Sequence, residues 1–338
     1  MVCKHNKNHQ LSIFLKINKS YTVWFYIYME GISKVKTIDE HLLIPVLEKG
    51  DKLYHYTSAA GFHGICNGEF WVTESGFLND FTEFNIATGI FCEVMDKHVL
   101  NKKKCEAIKM RVLDEIEKSK RCPEIGGSVA YGGDYVISFS LDYDSTLMWS
   151  EYSDFLGYCL KFDFEKLFNS FDKKASMQHG QVIYNHEQQI SLIEQTIEKE
   201  FINDKKCYDY LNSWNDFNLL PDDGVDDLYL FLSIFIDMYN QFFKLPCFEG
   251  EHEYRFIFYC GHDGGRFKKD QLEKQHFRVK DEVLIPYIKK KLSSLDSLEE
   301  VLIGPKNKSD IATLGAEKFL RNLKLDVPVT KSQMPLRY

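Results

Sequence analysis

The chain has nine cysteines, at positions 3, 66, 92, 105, 122, 159, 207, 247 and 260, yet no two of them are spaced C-x-x-C. The count is odd and the gaps are wide, so neither a disulfide framework nor a structural zinc site is indicated. The expectation is a reducing compartment, the cytoplasm. The roughly 20 consecutive apolar residues that a bilayer-crossing helix needs are also missing. The apolar stretch Tyr21–Met29 is too short, and no small-residue cleavage site follows it. No membrane partner is expected. Basic excess is lacking as well: 42 Lys and Arg face 50 Asp and Glu, a net charge of −8. That balance argues against broad, charge-driven binding to nucleic acid. Walker A, G-x-G-x-x-G, G-x-S-x-G and H-E-x-x-H patterns are absent, and no metal is expected.

What is present is an ordinary globular composition, 44% apolar and 27% charged, over 338 residues. Its 14% aromatic content is high and implies a core or pocket rich in flat rings. Without repeats or a Pro/Gly/Ser-rich linker, one interrupted domain over residues 46–338 is favoured. Residues 1–45 read as an N-terminal extension. Either Met29 is the natural start, or residues 11–28 form a strand on a sheet edge; both readings stay open.

From Lys52 onward short strands alternate with helices. Strands are expected at 52–56, 70–73, 135–140, 157–162, 254–259, 300–303 and 327–332. Helices are expected at 58–66 (with Ser58 as N-cap), 84–119, 145–154, 281–293 and 309–323. A helical insertion covers about 186–243. The irregular spacing indicates an α+β fold.

Three patches concentrate chemically capable side chains. In Leu53-Tyr54-His55-Tyr56-Thr57-Ser58, alternation puts His55 and Thr57 on one face and Tyr54 and Tyr56 on the other. The plainer reading is a satisfied core histidine beside capping hydroxyls. Ser138-Phe139-Ser140 precedes Leu147-Met148-Trp149-Ser150-Glu151-Tyr152, which could line a flat-ring site or simply face the core. In Glu249-Gly250-Glu251-His252-Glu253-Tyr254-Arg255, three acids enter a strongly apolar strand, and Arg255 could pair with Glu251 or Glu253. Carboxylates leading into a buried strand are costly without a role.

Together with Leu78-Asn79-Asp80 and Glu83, Gly157–Asp163 and Ile303-Gly304-Pro305, these segments resemble a bacterial domain of unknown function, the family numbered 2971, from about residue 50 onward. More distantly, their order is similar to the ADP-ribosyltransferase fold. That resemblance implies a split, mixed or antiparallel sheet with NAD as substrate. It would set His55 against the adenosine ribose, with Tyr56, Thr57 and Ser140 near the dinucleotide. Phe139, Trp149 or Tyr152 would stack on nicotinamide. Glu253 would be the catalytic acid and Glu251 the proton acceptor, so His55 and Glu253 must meet in one cleft. ADP-ribose would pass to a protein or nucleic-acid acceptor, or to water, as in a toxin or phage-defence effector. Asn79, Asp80, Glu83 and Arg255 have no assigned place in that scheme. Two other functions compete. One is a metal-dependent nuclease or phosphodiesterase with Asp80, Glu83, Glu251 and Glu253 as ligands. The other is a non-catalytic sensor or interaction domain in which Arg255 merely anchors an ion-pair network.

Overall fold

The computed structural model describes residues 14–15, 25–26, 43–78, 85–99, 101–120, 124–125, 128–129, 133–171, 176–199, 222–260, 274–280 and 282–336. Where the sequence suggests one interrupted domain from residue 46, the chain groups into two compact units. One comprises residues 1–43, 83–121 and 187–241, the other 44–82, 122–186 and 242–338.

In the first unit, β1 (Phe14–Leu15) and β2 (Phe25–Tyr26) pair antiparallel with each other. The helix expected over 84–119 is two helices, α2 (Ile86–His98) and α3 (Lys102–Lys120). Their break follows from capping: the Asn101 side chain accepts the Lys104 N–H at 3.2 Å. The expected insertion contains α6 (His186–Ile197) and α7 (Asp222–Asn240). Asn240 fixes α7 to α2 by accepting from the Thr88 N–H and donating to Thr88 Oγ1.

The second unit carries the sheet. Its strands are β3 (Lys52–Thr57), β4 (Glu69–Glu74), β7 (Gly133–Ser140), β8 (Tyr158–Asp163), β9 (Ser176–Gln181), β10 (Glu253–Cys260), β11 (His276–Lys280), β12 (Val283–Lys291), β13 (Leu298–Ile303) and β14 (Val329–Lys331). A separate two-residue ladder joins β5 (Glu124–Ile125) to β6 (Ser128–Val129). The main order is β11-β12-β4-β7-β3-β8-β13-β14, with β10 between β7 and β9. Among the described strands only β13–β14 is a parallel pair, so the fold is α+β with a mixed, open sheet. Strand β12 corrects the helix expected at 281–293. Val283, Leu284, Tyr287 and Ile288 have helical spacing, but Pro286 and three β-branched residues disfavour a helix interior.

Pairing register separates two faces. On the aromatic face, Leu53, Phe70, Phe139, Phe162 and Phe256 form one core with Phe62 and Ile65 of α1 (Ala59–Cys66), Leu167 of α5 (Phe164–Ser170) and Leu320 of α8 (Asp310–Asn322). Each such side chain contributes about 1.5–3 kcal/mol by burial. The opposite face carries Tyr56, Cys159 and Leu302 beneath Met148 and Trp149 of α4 (Thr146–Ser153). We call it the ionic face for the cluster described below.

One irregularity positions chemistry. Strand β10 pairs along the whole of one edge of β7, whereas β3 and β4 share the other edge. β3 meets it at Ser140 and β4 at Tyr135 and Val136, leaving a fork over residues 137–139. Among the described residues no helix is long and apolar enough to cross a membrane.

Candidate active site

A 3-10 turn, Pro246–Glu251, delivers the chain to β10. His252 adopts a left-handed φ of 40°, and the direction changes between the two acids. Glu251 therefore ends the turn, while Glu253 begins the strand opposite Ser140. Tyr54 continues that row on the far side of Ser140. Paired residues share a face, so Tyr54, Ser140 and Glu253 all lie on the ionic face.

Both acids are buried, and each has a cation. Arg255 grips Glu253 with two bonds of 2.8 Å, from Nε to Oε1 and from Nη2 to Oε2. Lys244 Nζ donates to Glu251 Oε2 at 2.6 Å and to Glu253 Oε2 at 3.4 Å, bridging the pair. The Tyr152 hydroxyl donates to Glu251 Oε1 at 3.3 Å. The Tyr184 hydroxyl accepts the Glu253 N–H at 3.0 Å, and Ser138 also bonds the Glu253 carboxylate. Ser140 Oγ donates to the Glu251 carbonyl at 2.8 Å, tying β7 to the turn. Of the two acids, Arg255 grips Glu253.

The two carboxyls titrate apart. Burial works to raise Glu253, but Arg255 and Lys244 outweigh it and hold the group at about 2. Burial raises Glu251 above the usual carboxylate range, against the pull of Lys244. Burial, followed by the charges of Glu251 and Glu253, raises the Tyr152 phenol. One acid is a fixed anion and its neighbour holds a proton more readily, the division of labour seen where paired carboxylates do acid–base work.

Other expected site residues lie elsewhere. His55 pairs with Leu160 on the aromatic face, its ring against Phe70 and Phe139, and Nδ1 lies 3.0 Å from the Ser138 carbonyl in the fork. Burial depresses its pKa to about 4, so the ring is neutral. The expected meeting of His55 with Glu253 in one cleft is not what the fold provides, because strand alternation turns them to opposite faces. Thr57 points the same way as His55, with Oγ1 beneath Gly61 of α1. Trp149 is fully buried, with Nε1 donating to Asp144 at 2.7 Å and its edge on Tyr56. An indole enclosed in this way has no free face for nicotinamide, and Phe139 is enclosed in the aromatic core. Tyr56 is also enclosed: its hydroxyl donates to the Asp142 carbonyl and accepts the Ser145 N–H. Of the expected rings only Tyr152 reaches the acids. Asn79, Asp80 and Glu83 lie outside the described residues.

Lys244 and Tyr184 escaped the sequence reading. A cation inside Phe242-Phe243-Lys244-Leu245-Pro246 was the available signal, since a buried ammonium needs a carboxylate. Among the described residues no group of three or more His, Cys, Asp and Glu could hold a metal ion. Lys244 and Arg255 form ion pairs with Glu251 and Glu253 directly.

The family model described as protein of unknown function (DUF2971) matches residues 148–256, a stretch holding Trp149, Tyr152, Tyr184, Lys244 and Glu251–Arg255. No curated protein and no solved structure matches the chain.

Proposed function

We propose that the chain consumes NAD, breaking the nicotinamide–ribose bond and passing ADP-ribose to a protein or nucleic-acid acceptor or to water, in the manner of ADP-ribosyltransferases. The observation that carries this reading is the pair Glu251 and Glu253, joined through Lys244 and with pKa values pushed in opposite directions, with Tyr152 on Glu251. Cleavage sends the bonding electrons to nicotinamide and leaves an oxocarbenium-like ribose. The permanent charge of Glu253 stabilises that cation electrostatically. Glu251 takes the proton of the attacking hydroxyl as the new C–O bond forms. His55 serves this reading by holding the β7 backbone rather than by facing Glu253.

Nicotinamide release from NAD tests the proposal. Glu251→Gln and Glu253→Gln should each slow it by about 10²–10³, and Tyr152→Phe by less. Absence of release and of NAD binding in the unaltered protein, with protein, nucleic acid and water offered as acceptors, overturns it. A non-catalytic ion-pair framework is the second reading, favoured by the complete pairing of Glu253 with Arg255. It requires thermal stability to fall in Arg255→Ala while no nucleotide shifts the unaltered protein's Tm.

A further inference from the structure

At the β11 end of the sheet a second group of side chains gathers on the ionic face. Register carries one row across five strands: Ile257, Val136, Thr73, Tyr287 and His276 are successive partners. Within and beside this row three rings form a ladder. Trp71 stacks on Tyr287 at 4.9 Å and 27°, and His276 stacks on Tyr287 at 5.5 Å and 28°. Tyr287 is buried between them, whereas Trp71 remains 39% exposed.

Arg278 shares this face, two residues along β11 from His276. Its Nη2 donates to Thr73 Oγ1 at 2.7 Å, while its buried Nε has no hydrogen-bond partner. Among the described residues no carboxylate forms an ion pair with it. A half-buried guanidinium normally meets an acid, because leaving its donors unmet is costly. Arg278 is also close enough to the fork for its charge to act on His55. A guanidinium with an unmet Nε donor beside a hydroxyl suits the oxygens of a phosphate group. Trp71 and Thr73 lie two residues apart on one strand face, about 7 Å, close to the separation of a nucleobase from its own 5′-phosphate.

We propose that Arg278, Thr73 and the Trp71–Tyr287–His276 ladder form a binding site for a free nucleoside diphosphate, with phosphate on Arg278 and base on Trp71. The assignment rests on the NAD reading only for the identity of the natural ligand. Thr73 lies four residues along and two strands across from Glu253, about 16–17 Å at strand rise and strand spacing, a gap that the rest of a dinucleotide can span. The site would then seat the half of NAD that does not react.

Calorimetric titration of the full chain with ADP, adenosine, inorganic pyrophosphate and a short single-stranded oligonucleotide tests this. ADP should bind more tightly than adenosine or pyrophosphate alone. Arg278→Gln should weaken ADP and pyrophosphate at least tenfold. Trp71→Ala, at a partly exposed position, should weaken ADP about tenfold, the scale of base stacking, and leave pyrophosphate unchanged. ADP binding by the unaltered protein without NAD cleavage would discard the catalytic reading and keep this one. The site is overturned if millimolar ADP does not bind, if both variants bind it as the unaltered protein does, or if the oligonucleotide outcompetes ADP.

Discussion

The fork turns one side chain into a substitute for a missing strand. Neither β3 nor β4 pairs with β7 at Ser138, and the His55 imidazole reaches that carbonyl instead. A buried carbonyl without a donor would cost about 1–3 kcal/mol, so the imidazole has structural value apart from any ligand. Its pKa of about 4 lies below the ordinary 6.5, so the unfolded chain binds the proton more readily than the folded one. Stability from this group is therefore complete above pH 6.5 and is lost as pH falls from 6.5 toward 4. His179, caged by Phe164, Phe168 and Phe256 and bonded to Tyr254, is depressed to about 4 by burial and acts in the same window. Asn reproduces the Nδ1 donor without titrating. His55→Asn should flatten the fall in Tm between pH 6.5 and 4, with His179 keeping part of it. An unchanged pH profile would refute the assignment.

Elements owe their ends to a few positions where a Cβ does or does not fit. Helix α4 exits through Asp154 and Phe155, both with positive φ, and then Gly157, where a Cβ would lie 2.3 Å from the Thr57 carbonyl oxygen. At Gly89 in α2 and Gly315 in α8 a Cβ would meet nothing within 4 Å. Gly89→Ala and Gly315→Ala should each stabilise by about 0.5–1 kcal/mol, whereas Gly157→Ala should destabilise; urea titration measures all three. At this scale much was legible in the sequence. The Ser58 cap holds, with Oγ accepting the Gly61 N–H, and alternation in 52–57 assigns the faces as found. What failed did so for identifiable reasons. Helical spacing in 283–288 outweighed its β-branched residues, and α5 and β9 passed unread between the strand at 157–162 and the helical stretch from 186. The site was half legible: Glu251, Glu253, Arg255 and Tyr152 announced themselves as charge and hydroxyl beside apolar runs. Lys244, Trp71 and Arg278 join their neighbours only through register and turns, which local pattern does not encode.

Across the whole molecule, the sheet is assembled from distant parts of the chain. Lys52 on the central strand β3 bonds Glu299, 247 positions away, and Leu47 bonds Tyr254, 207 positions away. Such non-local pairing makes folding slow, because loop closure precedes the contacts that reward it. The strand at greatest risk meanwhile is β10, whose Tyr254, Phe256, Ile257 and Phe258 are all fully buried in the finished structure. Before β7 and β9 flank it, this segment has the makeup of a self-associating stretch, high in β propensity and without proline. Glu251, Glu253 and Arg255 then act as gatekeepers that keep nascent copies apart. Glu253→Met combined with Arg255→Met should cost less equilibrium stability than the two single changes added together, each of which breaks the buried pair at about 3–5 kcal/mol. The same double variant should yield less soluble protein on refolding, with the shortfall growing with protein concentration. The ion pair would thereby guard the chain against its own copies before it ever meets a ligand.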